Sequence, residues 1–107
     1  MKNSVDIRNL DEGIVLLIET TNAIYDATVI DNADGIIEIT GGYKINDPTR
    51  AVLIGSSWRG NRYPYKLVKD MAVELYFDEE KLTTGRLLNL VVFGPEDEWH
   101  YDLEWNV

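Results

Sequence analysis

The sequence has no cysteine, a single histidine and three prolines in 107 residues. Without cysteine there can be no disulfide, iron–sulfur cluster, thiolate zinc site or cysteine nucleophile. The one histidine, His100, sits between Trp99 and Tyr101 in an acidic stretch, with no serine or threonine near it in sequence to activate. Gly55-Ser56-Ser57-Trp58 lacks the second glycine of a nucleophile elbow. Neither GxxxxGK[ST] nor GxGxxG occurs, so the familiar phosphate-cradling loops are missing. No enzyme, no cofactor and no metal is expected. The opening MKNSVDIRNLDEG has no apolar core of the signal-peptide kind, and no run approaches the roughly 20 apolar residues of a membrane span. The expectation is a soluble cytoplasmic protein that leaves membranes alone.

Positive charge is the other scarcity. Lys and Arg number 10 against 19 Asp and Glu, a formal net charge of −9. Such a field opposes general adhesion to nucleic acid and to anionic membranes, and favours solubility or a basic partner. The densest acidic runs are Glu96-Asp97-Glu98 and Asp78-Glu79-Glu80. Adjacent strand residues point to opposite sides, so runs like these read as solvated faces or turns. Asp31-Asn32-Ala33-Asp34-Gly35 invites comparison with a calcium loop. Aligning Gly35 with the loop glycine puts Ile30 where the first aspartate must stand, and the match fails.

What is present is strand patterning nearly throughout. In Met71–Asp78 the residues Met71, Val73, Leu75 and Phe77 share one face, and Ala72, Glu74, Tyr76 and Asp78 the other. Residues 23–30 alternate in the same way, 31–35 supply turn chemistry, and Ile36–Thr40 is rich in β-branched side chains. The span 23–40 is therefore one hairpin. Residues 14–18, IVLLI, are apolar on both faces and suit a central or barrel strand. Shorter and longer apolar runs follow at 51–54 and 87–93, with Gly41-Gly42 and Asp47-Pro48-Thr49 reading as breaks between strands. Either 78–81 or 83–85 makes the turn after Met71–Asp78. Residues 1–12 read as a leader in which 3–12 admit a short helix. The whole predicts an all-β single domain over 1–107, a small barrel or sandwich of six to seven mostly antiparallel strands with little helix.

Two segments carry candidate function. From Trp58 to Lys69 the chain holds four of its ten basic residues, with three aromatics among Trp58-Arg59-Gly60-Asn61-Arg62-Tyr63-Pro64-Tyr65-Lys66 and no acid up to Lys69. Arginine and aromatic side chains interleaved on a loop suit protein anchoring, stacking on bases or holding an anion. The plainer alternative is a connection whose aromatics cover a barrel end and whose cations pair with nearby carboxylates. The second segment is the acidic–aromatic end, 95–107, where Trp99, Tyr101, Leu103 and Trp105 alternate with His100, Asp102 and Glu104. It reads as a last edge strand or as an interaction tail that pairs with another sheet edge. Residues 95–107 contribute −5 and 58–69 contribute +4, so the charge is dipolar rather than uniform. Self-association of the two segments stays open.

Glu19-Thr20-Thr21-Asn22-Ala23-Ile24-Tyr25, Thr40-Gly41-Gly42, Leu53-Ile54-Gly55-Ser56-Ser57, Met71-Ala72-Val73-Glu74-Leu75 and Leu82-Thr83-Thr84 follow one another with a characteristic spacing. On these, residues 17–93 resemble a family of small, uncharacterised bacterial all-β proteins. The resemblance implies a β domain of about 100 residues and no particular activity. The chain departs from that pattern at 58–66, where such proteins are glycine-rich and apolar, and after Pro95.

Three functions follow as expectations. The first is a non-enzymatic binding protein that contacts a protein partner through Trp58, Arg59, Arg62, Tyr63, Tyr65 and Lys66, with Trp99, Tyr101 and Trp105 as a second set. The second is a binder of a small anionic ligand or nucleotide on the same loop. The third is a phage- or plasmid-encoded acidic inhibitor of a host nucleic-acid-binding protein.

Overall fold

Alternation of apolar and polar residues makes strands, and here the strands pair into a ring. The computed structural model describes residues 4–94 and 101–103. Among the described residues there are ten strands, one 3-10 turn at Ile7–Asn9 and no α-helix. The strands are β1 (Ser4–Asp6), β2 (Val15–Thr20), β3 (Ile24–Asp31), β4 (Ile36–Gly41), β5 (Ile45–Trp58), β6 (Asn61–Pro64), β7 (Lys66–Val68), β8 (Ala72–Phe77), β9 (Glu80–Phe93) and β10 (Tyr101–Leu103).

Six of them close antiparallel in the order β2–β3–β4–β5–β8–β9 and back to β2. The all-β fold expected from the pattern as a small barrel or sandwich is thus observed, with six strands bonded in a ring. Closure leaves no free edge on those six, which suits β2: Leu16 and Ile18 are buried while Val15 and Leu17 are half-covered on the other face. The 23–40 hairpin forms as β3 and β4, turning at 32–35, where the Gly35 N–H donates to the Asn32 carbonyl at 3.3 Å.

The strands correct two boundaries and decide a third. Asp47-Pro48-Thr49 does not break the chain but lies within β5, where the register jumps from Ile39↔Thr49 to Gly41↔Ile45. Two steps along β4 face four along β5, so Pro48 sits exposed in a bulge where its missing N–H costs no ladder bond. The turn after β8 is Asp78-Glu79, with φ of 51° and 63° and Phe77 paired with Glu80, leaving Thr83-Thr84-Gly85 inside β9. The helix admitted at 3–12 is instead β1 followed by one 3-10 turn, capped by the Asp6 carboxylate accepting from the Arg8 N–H.

That N-terminal strap crosses the barrel end where β3 turns into β4. Its Val5, Ile7 and Leu10 join the core, β1 pairs with β7, and the Asn32 Nδ2 donates to the Leu10 carbonyl at 2.8 Å. Ile7 and Leu67 are fully buried. Burying side chains of this kind stabilises by about 1.5–3 kcal/mol each.

Candidate binding face

The basic–aromatic stretch read as a loop is a hairpin. Trp58 pairs with Asn61 across a two-residue turn in which Arg59 has φ 52° and Gly60 φ 87°. Both turn positions need positive φ when the loop is this short, and glycine supplies one without strain. Tyr65, at φ 62°, then redirects the chain from β6 into β7.

Two bulges decide which side chains share the outer face. Along β5 the pairing with β8 runs Leu53↔Leu75 and then Gly55↔Glu74, so one extra residue enters β5. Gly55 takes φ 146°, and a Cβ there would lie 2.2 Å from the Tyr63 carbonyl oxygen. Only glycine lets β6 approach so closely. Past the bulge the side-chain parity flips, bringing Ser57 to the face of Glu74. In β9 the partners of Glu74 and Ala72 are Thr83 and Arg86, three residues apart opposite two. This second bulge turns Arg86 to the same face. Arg62, Ser57, Ala72 and Arg86 consequently stand in one cross-strand row. At the usual strand spacing that row spans roughly 14 Å.

Glu74 stands two residues along β8 from Ala72, on the same face, and ties this row together. Its side chain is 8% exposed although it points to the outer face, because Arg62, Lys81 and Ser57 cover it. Ser57 Oγ donates to Oε2, Arg62 Nη2 donates to Oε1 at 2.9 Å, and Lys81 Nζ stands 3.6 Å from Oε1. The Ser57 hydrogen bond, followed by that of Arg62, holds the carboxyl below its ordinary range. It is an anion held in place by these three donors.

Trp58 stands over this arrangement, 38% exposed. The Arg86 guanidinium carbon lies 5.3 Å from its ring centroid and that of Arg59 5.8 Å, both at cation–π distance. Neither Arg59 nor Arg86 meets a carboxylate at ion-pair distance among the described residues. Between the hairpin and β9 lies an open cleft of about 390 Å³, lined by Ser57, Trp58, Arg62, Ala72, Glu74 and Thr83 among others. A smaller one on the other side of Arg62, about 200 Å³, is lined by Ile54, Tyr63 and Pro64.

The residues singled out in sequence thus divide. Trp58, Arg59 and Arg62 come together, with Tyr63 on their flank. Tyr65 and Lys66 do not join them. Tyr65 packs against the core beneath the Arg8 guanidinium, 4.7 Å from its ring centroid, and Lys66 pairs with Asp6 in the β1–β7 register. Tyr101 lies opposite Val92 on the backbone of β10, while Trp99 and Trp105 lie outside the described residues. Ser57, Glu74, Lys81 and Arg86 belong to the face and were not singled out. Glu74 did carry a signal, as the charge in the middle of a strand otherwise made of apolar residues.

Among the described residues no three His, Cys, Asp or Glu side chains gather as a metal site, and no helix is long and apolar enough to cross a membrane. No family model, curated protein or solved structure matches the chain.

Proposed function

We propose that this chain is a non-enzymatic binding protein, acting in the cytoplasm, whose Trp58–Arg62–Arg86 face anchors a protein partner. The observation that carries the reading is Trp58, part-exposed between two guanidiniums that no described carboxylate neutralises. Tryptophan and arginine dominate interface energetics because each gives up much solvent contact in one place. A protein with an excess of acid has carboxylates to spare for its cations. Leaving Arg59 and Arg86 without one keeps their charge for a ligand. Affinity capture from the native host with wild-type protein and with a Trp58→Ala/Arg86→Ala variant tests this. A partner retained by the first and lost by the second supports it; no partner, or one held equally by both, overturns it.

The same unpaired cations support a second reading, a small anionic ligand in the cleft. A metabolite present at 100 times its Kd would add about 2.7 kcal/mol of stability, read as a rise in Tm. Anionic metabolites that leave the Tm unchanged remove that reading.

A further inference from the structure

The cleft beside Trp58 has a neighbour at β9. Thr83 and Thr84 form one wall of it and also one wall of a second cleft, of about 170 Å³, whose other sides are Asn22, Ala23, Tyr25, Tyr43, Lys44 and Leu82. The two clefts therefore adjoin at the Thr83–Thr84 segment, which is a wall of both. Gly85 keeps that junction tight, because a Cβ there would lie 2.1 Å from Thr21 Oγ1 in the turn between β2 and β3. Tyr43, at the tip of the β4–β5 hairpin, is 93% exposed, and Lys44 beside it meets no carboxylate among the described residues. Each cleft thus offers an aromatic ring and a cation that meets no described carboxylate, Trp58 with Arg59 in one and Tyr43 with Lys44 in the other. The middle offers hydroxyl and amide groups.

We propose that an extended acidic peptide segment of a partner protein crosses from one cleft to the other over Thr83 and Thr84, with Tyr43 and Lys44 forming a second subsite beyond Trp58. The inference rests on the binding reading above. An extended chain rises about 3.3 Å per residue, so a segment of about ten residues spans the longest dimension of the molecule, 33 Å. Spaced carboxylates meet the cations at the two ends, apolar side chains meet the two rings, and the peptide backbone meets Thr83, Asn22 and Asn61. A nucleic acid strand, with a phosphate at every step, faces the −9 field along its whole length, whereas a peptide carries its charges only where cations await them.

Fluorescence anisotropy tests this on the full chain, using a fluorescein-labelled peptide of about twelve residues with two glutamates and a phenylalanine near each end and glycine and serine between them. The same peptide with lysine in place of glutamate, and an oligothymidylate of equal length, are the comparisons. The acidic peptide is expected to bind, with Arg59→Glu weakening it about tenfold or more and Tyr43→Ala/Lys44→Glu about fivefold or more. A version truncated to about five residues should lose the response to Tyr43 and Lys44 and keep that to Arg59. If Arg59→Glu acts but the Tyr43/Lys44 variant does not, the second subsite is wrong and the Trp58 face survives. If neither acts, both fail. Preferred binding of the oligothymidylate or of the lysine peptide overturns the peptide assignment. All substituted positions are exposed or in turns, and circular dichroism confirms that the variants fold.

Discussion

Residues 58–63 and 65–68 adjoin in sequence and share one composition, yet they do opposite work. The first half projects as a hairpin, with Trp58, Arg59 and Arg62 open to solvent or to a ligand. The second half turns inward: Leu67 is fully buried, the Tyr65 carbonyl accepts from the Ile7 N–H at 2.9 Å, and Lys66 faces Asp6. Ser56 holds the two together, its Oγ donating to the Lys66 carbonyl and accepting from the Val68 N–H. A run of aromatic and basic residues is thus not one feature. Its first half serves binding, and its second half serves closure of the barrel.

Substitutions in the two halves should separate accordingly. The largest loss is expected from Ile7→Ala, which opens a cavity under the strap and should cost about 2–5 kcal/mol in urea denaturation with peptide binding unchanged. Reduced affinity in folded Ile7→Ala protein would mean that the strap shapes the face. Next comes Gly55→Ala, where strained φ costs about 1–3 kcal/mol and the new methyl group forces β6 away from β5. This variant should lose both stability and affinity, because the bulge belongs to both halves.

Glu74→Gln should cost about 1 kcal/mol, since the charge-assisted bonds from Arg62 and Lys81 weaken while their geometry remains. Glu74 also sets a pH dependence. Its carboxyl titrates lower in the folded chain than its ordinary 4.5, so the unfolded state takes up the proton first. The contribution is complete above the ordinary value and is lost as pH falls through the lower folded value. Denaturation midpoints measured across that window should drop less steeply in Glu74→Gln than in wild type. Equal slopes would exclude Glu74 as a source of acid sensitivity. The smallest effect belongs to Arg8→Ala, whose side chain is about half exposed and whose partner Asp6 lies two residues away. Its stability change should be hard to resolve from zero.

The parts legible in sequence were those where period and turn chemistry agree, as in the 23–40 hairpin and the doubly apolar β2. The two bulges were not legible, and they hid the face. Strict alternation places Ser56 and Gly85 beside Glu74; one inserted residue in each strand replaces them with Ser57 and Arg86. Pro48 misled in the same way, because a proline in a bulge has the local signature of one that ends a strand. Tyr65 misled because a φ of 62° at a non-glycine residue reverses the chain where composition shows no punctuation. The dipolar charge likewise sharpened: of the four cations in 58–69, only Arg59 and Arg62 line the cleft, and Lys81 and Arg86 from β9 complete the basic face.

The central claim is that Trp58 and its guanidiniums are the contact point while the strap is not. It is tested most directly by following backbone and indole N–H resonances as the acidic peptide is titrated in. The Trp58 indole and the Arg59, Gly60 and Arg62 amides are expected to shift together, with Ile7 and Leu67 unmoved. Shifts centred on the strap, or none at saturating peptide, would contradict it.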